Sequence, residues 1–573
     1  LVSIVRTFLK VFYMSYFLKK CTKKGRVYLS IVNGYHDPKK GYTVQETYKS
    51  FGTGEQLIKE GISDPEAYCK ELINELNNKL KEDKINKVTE LAPFKYLGHF
   101  LINAILQKLN IKDIIEIISL RENFRFNLYD VLCALIFSRI LKPCSKYQTF
   151  HDVIPYLNKD YKFSYDQLLL GLAFLGDNYE DLVEIFTALT SEKYKLNTSV
   201  SYFDCTNFYF EIDKEDEFRK KGPSKENRPL PLLGMGLLLD GNQIPIGLKL
   251  FPGNQSEKPK IREIINEFKQ KNDFKNKIVQ VADKGLNCAR NIYEARINNN
   301  GYIFSKSCKT LPDTEKNWIF NSNDYVPITN KDGEILYYIK ECIDDYVYTF
   351  DNDYGEKISF TLSEKRVVTF NPTLAKKQLH EIQKLEDKAR QLCLSKAKKE
   401  EYGECSKYVT FQGKDGKKAN VSLNETKLKQ DRDLCGYNLM VTSEKNLSCN
   451  EIYKIYHNLW RIEESFRMMK SELNARPVFL QKQNTIYGHF FVCYLCTLLT
   501  RILQIYELHD EESYQEIFKF FRDFQVVNTN NKFVNLLTKS DFLEKICKIT
   551  KLPINSRLLT IKQYERISNF TFK

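Results

Sequence analysis

At 573 residues the chain is too long for one hydrophobic core, so roughly two to four structural units are expected. Its 42% hydrophobic and 13% aromatic content is that of a folded protein and excludes a low-complexity polymer. Lys and Arg outnumber Asp and Glu by 87 to 73, a net charge of +14, which favours a polyanionic partner through phosphate neutralisation and counterion release.

The fifteen cysteines follow no framework spacing, which in a chain of this size reads as reduced thiols in a cytoplasm. The one Cys-x-x-Cys, Cys493 and Cys496 with His489 a turn earlier, lies in an apolar helical run and has no second pair, so core packing is the simpler reading. No run reaches the ~18 apolar residues of a membrane span, because Arg501 interrupts the longest, and no membrane partner is expected. The opening LVSIVRTFLKVFYMSYF is apolar and basic like a signal peptide but lacks a small-residue cleavage site. Met14 would be a sensible start, leaving residues 1–13 outside the native protein.

In chain order, the lead segment 1–85 alternates in GRVYLSIVNGYHD and GYTVQETYKSFG and predicts short strands. Helical periodicity governs 86–195, in PFKYLGHFLINAILQKLNI and in LYDVLCALIFSRILKPCSKYQTFHDVIPYL, which Pro143 breaks. Such a helical unit reads either as a DNA-binding module or as structural packing. The stretch 196–310 predicts three strands, helix, strand, helix, strand, the first three as an antiparallel meander because their connections are too short or too polar for crossover helices. From 311 to 440 the pattern changes to short strands (EILYYIKE, DYVYTFD, KISFTL, KRVVTF) around one long charged helix, TLAKKQLHEIQKLEDKARQLCLSKAKKE, as an inserted β-rich segment would. Residues 441–510 return to the core, after the strand GYNLMVTS, with a helix carrying YHNLWRIEESFRMMK. Residues 511–573 are mixed and helical.

Three carboxylates stand out. Asp204 lies mid-strand in SVSYFDCTNFYFEI, Asp283 closes the strand KIVQVAD, and Glu463 rides the later helix. Phosphodiester chemistry with Mg²⁺ needs hard oxygen ligands held rigidly, and two neighbouring strands would present both aspartates at one end of a sheet. At about 100° per residue, Ile452, Ile455, Leu459, Ile462, Phe466, Met469 and Leu473 form one apolar arc. Glu463 falls at its edge, whereas Glu464 is expected to face water. Tyr456, Leu459, Arg467 and Lys470 lie within about 40° of Glu463 on a regular helix, a stripe that suits a metal and a phosphate; an interhelical salt-bridge ladder is the plain alternative. The segment RKKGPSKENRP offers Lys220, Lys221, Ser224, Lys225 and Arg228 to a DNA backbone, or is a solvated loop. Trp318 is either core or a stacking platform for an unpaired base.

These residues resemble the DDE transposases of bacterial insertion sequences, in the branch marked by a Tyr-x2-Arg-x3-Glu-x6-Lys signature. Tyr456, Glu463 and Lys470 stand at the signature's spacings, with Leu459 where it has Arg. The strings YFDCTN, GPSKENRP, FPGNQSEK, VADKGL and LWRIEESFRMMKSELNARPVF, and the pair Gly488-His489, extend the likeness over about 199–505. The resemblance implies an α/β fold with an RNase H-like catalytic core, a mixed sheet flanked by helices, interrupted by a β-rich insertion and preceded by a helical DNA-binding region. It implies metal binding and catalysis by Asp204, Asp283 and Glu463 with Mg²⁺, for which Mn²⁺ can substitute, and phosphate contact by Tyr456 and Lys470. It further implies binding to the element's terminal inverted repeats, end cleavage, strand transfer into target DNA, and homodimers in a synaptic complex in the bacterial cytoplasm, associated with the nucleoid when bound to DNA. Leu459 cannot clamp a phosphate, and Arg467 is the residue placed to compensate. The alternatives are a transposon-derived DNA-binding protein without catalysis and a plain RNase H-like nuclease.

Overall fold

The computed structural model describes residues 13–23, 25–37, 42–86, 94–223, 225, 229–271, 276–394, 399–412, 420–529 and 532–572. The chain divides into two compact units, 1–93 with 528–531, and 94–527 with 532–573. In the first, strands β1 (Tyr13–Lys23), β2 (Arg26–Asp37) and β3 (Tyr42–Thr53) pair antiparallel in sequence order. Thr53 then caps helix α1 (Gly54–Lys59) reciprocally with Gln56, and α2 (Pro65–Asn86) packs on β1. Leu29, Leu57 and Cys69 form this unit's small core. The strands expected from the alternation are β2 and β3, and β1 begins inside the apolar opening segment.

The second unit opens with β4 (Phe94–Tyr96) and helices α3 (Phe100–Lys108), α4 (Ile111–Arg121), α5 (Leu128–Leu141), α6 (Lys146–Gln148), α7 (Tyr165–Asp177) and α8 (Tyr179–Lys193). Helix α5 stops just before Lys142-Pro143, since a residue preceding proline is driven out of the helical region. There follow β5 (Val200–Tyr209), β6 (Leu232–Asp240), β7 (Pro245–Pro252), α9 (Lys260–Lys271), β8 (Val279–Ala282), α10 (Ala289–Ile297) and β9 (Gly301–Lys306). This is the predicted order of three strands, helix, strand, helix, strand. The meander β5-β6-β7 is antiparallel, while β5, β8 and β9 run parallel.

Next come α11 (Asp313–Phe320), β10 (Val326–Thr329), β11 (Ile335–Asp351), β12 (Lys357–Phe370), α12 (Pro372–Leu394), β13 (Val409–Gln412), β14 (Asn420–Leu423), α13 (Glu425–Asp433) and β15 (Tyr437–Thr442). Two corrections arise here. The four short strands read from the sequence are two long ones, because Ile335–Asp351 pairs with Lys357–Phe370 without interruption from Tyr338 to Asp351. The long helix follows this hairpin and is not surrounded by it; its last predicted residues include 395–398, which lie outside the described residues. The hairpin also continues the main sheet: β12 pairs with β15 and β15 with β9. The result is one nine-stranded mixed sheet in the order β10-β11-β12-β15-β9-β8-β5-β6-β7.

Helices α14 (Cys449–His457), α15 (Trp460–Arg467) and α16 (Gln483–Ile502) return over this sheet. The chain ends with α17 (Tyr514–Asp523), β16 (Gln525–Asn528), β17 (Lys532–Asn535), α18 (Asp541–Thr550), β18 (Leu558–Thr560) and α19 (Ile561–Ser568), whose strands form a small sheet with β4. Strand alternation sorts the main sheet's side chains into two cores. Tyr202, Phe208, Val281 and Ile303 share one core with α16, whereas Phe203, Cys205, Ala282 and Phe304 share the other with α9 and α10.

Contrary to the reading that Arg501 breaks the run, Gln483–Glu507 is long and apolar enough to cross a membrane by length and composition alone. It is nonetheless buried as the central helix of the helical body, crossing α7 so closely that a Cβ on Gly176 or Gly488 would meet backbone oxygens at 1.8 and 2.0 Å.

Candidate active site

Alternation in β5 places Asp204 on the sheet face of Tyr202 and Phe208. Asp283, one residue beyond β8, continues the phase of Val281, and Ser305 on β9 that of Ile303. All three therefore belong to the face over which α14 and α15 lie; α14 packs on β8 and β9, and α15 on β5. The Tyr456 hydroxyl of α14 donates to Asp283 Oδ1 at 3.2 Å and also meets the Ser305 hydroxyl. Ser305 Oγ in turn bonds Asn438 Oδ1 at 3.1 Å, and Asn287 Nδ2 donates to the Ser305 carbonyl at 2.9 Å. A hydrogen-bonded chain thus fixes Tyr456 over the strand ends. Burial pushes its phenol well above the ordinary range, and the nearby charges of Asp283 and Glu463 add to the shift.

Asp204 is half-buried at the centre of β5. Burial pushes its carboxyl up to about 6, with Glu257 and Asp283 raising it further, while the Lys225 ammonium and the Cys205 N–H hold it down. Lys225 Nζ lies 4.0 Å from Asp204 Oδ1 and 3.8 Å from Glu257 Oε1, and it donates to the Cys205 carbonyl. Carboxylate oxygens such as those of half-buried Asp204 suit a hard divalent cation in chemistry, but among the described residues no group of three or more His, Cys, Asp or Glu side chains is disposed to hold a metal ion.

The helix carrying Glu463 departs from the regular one expected. Bonds from Leu459 N to Tyr456 O at 3.0 Å and from Ile462 N to Leu459 O at 3.1 Å tighten the chain between α14 and α15, and a wide turn at Met468–Glu472 loosens it after α15. Each change of pitch shifts the helical phase. Leu459 is buried, as its place in the apolar arc predicts, Glu463 and Arg467 are exposed, and Tyr456 and Lys470 are half-buried. Lys470 Nζ sits 5.6 Å from the ring centre of Phe208 on β5. Glu464, expected to face water, instead pairs with Arg501, whose side chain is 0% exposed, at 2.7 Å, and with Arg461 at 3.0 Å. That pairing assigns Glu464 to the core and leaves Glu463 at the rim.

Of the basic segment, Ser224 and Arg228 lie outside the described residues. Lys220 is half-buried and its backbone bridges Leu232, and the backbone N–H of exposed Lys221 donates to the Glu215 carboxylate. Lys225 alone among the described lysines of this segment contacts an acid of the trio. Trp318 is half-buried against the second core with Lys340 Nζ 5.0 Å from its ring centre. His489 is engaged at both ring nitrogens, Nδ1 accepting from the buried Lys146 at 3.2 Å and Nε2 donating to the Ala475 carbonyl at 3.0 Å.

Sequence reasoning did not single out Glu257, Ser305, Asn287 or Asn438. Glu257 sits in the quoted string FPGNQSEK, but no periodicity marks a loop carboxylate, and the other three act through contacts between separate elements. Beside Asp283 a cleft opens toward α12 and α13, carrying Lys284, Lys306, Lys309 and Lys407.

No protein-family profile and no curated protein matches this sequence. Among solved structures, the chain is similar to the piggyBac transposase in a cryo-EM synaptic complex with hairpin DNA, at 11% identity and a TM-score of 0.34, over 83% of this chain and 83% of that one. At that score the likeness carries no weight for function, which rests on the residues themselves.

Proposed function

We propose that this chain is a DNA transposase with an RNase H-like core, which cleaves the ends of an insertion sequence and joins their 3′-hydroxyls to target DNA. One observation carries the reading: Asp204 in β5 and Asp283 at the end of the adjoining parallel strand β8 share a sheet face, under helices that supply Tyr456 and Glu463. The strand order β7-β6-β5-β8-β9, antiparallel in the first three and parallel in the rest, supports an RNase H-like core. Asp204, Asp283 and Glu463 would hold Mg²⁺, which when bound supplies charge to activate an attacking oxygen and to stabilise a leaving one. Tyr456 orients Asp283 through its hydroxyl. Lys470, whose ammonium sits over Phe208 of β5, and exposed Arg467 are the cations for the scissile strand, and Lys220, Lys221 and Lys225 serve its flank together with the helices of 94–195. Element ends as substrate, pairing of two copies in synapsis and a bacterial cytoplasmic setting belong to the same proposal.

The test is Asp283→Ala in the full chain. Mg²⁺-dependent cleavage of end DNA should disappear while DNA binding persists; cleavage that survives would remove the assigned site. A second reading, a DNA-binding protein without catalysis, is favoured by the absence of a closed acidic triad among the described residues. It predicts that the unaltered chain binds such DNA and leaves it intact with Mg²⁺ or Mn²⁺ present.

A further inference from the structure

At the ends of β8 and β9 the main sheet faces α12 and α13 across a cleft of about 340 Å³. Four lysines line it, Lys284, Lys306, Lys309 and Lys407, together with the acids Asp283, Glu381 and Asp431. Two of those acids are engaged. Asp431 pairs with Lys309 at 2.6 Å and accepts from the Tyr408 hydroxyl at 3.1 Å, and Asp283 accepts from Tyr456. Among the described residues, Lys284, Lys306 and Lys407 make no ion pair. Lys306 is the most telling of the three, because it is half-buried and its ammonium meets the ring of Tyr348, 5.5 Å away, in place of a carboxylate. Burial and the charge of Arg366 hold that ammonium below the ordinary lysine range, against a weaker pull from Glu315 and Glu364. A cation drawn out of water without a counter-charge is costly, and an anion entering the cleft supplies one. The lining also includes Leu385, Leu434 and the half-buried Tyr437. Cations for phosphates beside apolar and aromatic groups for a base are the make-up of a single-strand nucleic-acid site.

We propose that this cleft seats an unpaired nucleotide of a DNA strand, with Lys284, Lys306 and Lys407 on its phosphates. The inference deepens the DNA-binding part of the proposed function and rests on that reading, but it requires no bound metal. Size selects the single strand. A volume of about 340 Å³ is near the lower end for a small-ligand site, whereas a duplex, whose major groove alone is about 12 Å wide, cannot enter. Asp283 lines the cleft and also accepts from Tyr456 at the candidate site, so a strand seated in the cleft passes directly to the rim that carries the acids. Glu381, exposed on α12, opposes the same phosphates and limits their affinity. The loop lysines of the proposed function take flanking duplex; the cleft takes strand that has separated from it.

The experiment is fluorescence anisotropy of the full-length chain with fluorescein-labelled oligothymidylate and with a blunt duplex, across a salt series free of divalent cations. Lys284→Ala and Lys407→Ala, both at exposed positions, should each weaken oligothymidylate binding about threefold, the scale of one exposed ion pair. Each should also make its salt slope shallower by about 0.7 and leave duplex binding unchanged. Lys306→Met should weaken the oligothymidylate in the same way and raise the melting temperature; where that variant fails to fold, the two exposed lysines carry the test. Glu381→Gln should act with the opposite sign and tighten oligothymidylate binding about threefold. Equal losses for duplex and single strand would make the cleft a general phosphate surface and overturn the proposal. So would displacement of the probe by ATP as readily, phosphate for phosphate, as by unlabelled oligothymidylate, which would mark a site for free nucleotides. The two levels separate cleanly. If the unaltered chain binds neither probe, the DNA reading itself fails; if it binds the duplex while oligothymidylate does not bind, or binds equally to the three lysine variants, only the cleft assignment fails.

Discussion

Glu463 and Glu464 are adjacent and chemically alike, yet their surroundings assign them opposite work. Glu464 faces Arg501, a guanidinium with 0% side-chain exposure that also bonds Ser465, Gln504 and the Arg461 carbonyl. Removing the carboxylate would leave that cation buried without its counter-charge, which costs about 3 kcal/mol in comparable settings. Glu463 is exposed at the rim, where an isosteric change costs no more than about 0.5 kcal/mol. Glu464→Gln should therefore lower the melting temperature by several degrees and retain activity per folded molecule. Glu463→Gln should melt with the unaltered chain and lose DNA cleavage. Chemical denaturation with a cleavage assay on each purified variant checks both, and a stability loss confined to Glu463→Gln would reverse the assignment.

At the scale of elements, the buried helix α16 is held by its approach to α7. The nearest atoms to Gly176 and Gly488 are backbone: a Cβ on Gly488 would lie 2.0 Å from the Leu172 carbonyl oxygen. Rotamer changes cannot relieve such a contact, so the helices must part. Gly488→Ala should destabilise the second unit by about 3 kcal/mol, as overpacking a well-filled core does, measurable as a lowered denaturation midpoint with unchanged slope. A neutral Gly488→Ala would show that the crossing is looser than drawn. Elements of this kind were legible where periodicity is local. The meander β5-β6-β7 and the alternation of β8, α10 and β9 follow from strand-length apolar runs and an Asp-Gly-Asn turn. Two features escaped for physical reasons. Polar residues inside β11 and β12 broke the alternation, and only pairing between the two strands made them continuous. The tight turn at Asn458 and Leu459 is equally silent in sequence, because Leu459 has good helix propensity and its burial comes from tertiary packing. A uniform helical wheel thus placed Glu464 in water, although it kept Leu459 in the apolar arc, where it is buried.

At the scale of the whole molecule, the long hairpin and the parallel strands form one sheet, so the rim holding Asp204 and Asp283 and the lysine-lined cleft beside Asp283 belong to the same unit. Net charge supplies the attraction that a polyanion needs, and +14 over the chain gives the sign without the place. Among the described cations, Lys220, Lys221, Lys225, Arg467 and Lys470 are those assigned to the DNA in the proposed function. If these five neutralise phosphates on bound duplex, the logarithm of the binding constant should fall against the logarithm of salt concentration with a slope of about −4 to −5. Lys221, exposed and joined to Glu215 through its backbone N–H, gives the cleanest single test. Lys221→Ala should make the slope shallower by about 1 and weaken binding to unrelated sequences as much as to end DNA, as a phosphate contact does. Fluorescence anisotropy across a salt series measures both quantities. A slope unaltered by Lys221→Ala would move the DNA path away from this loop and toward the lysines of the cleft, where Lys407→Ala should then produce the change.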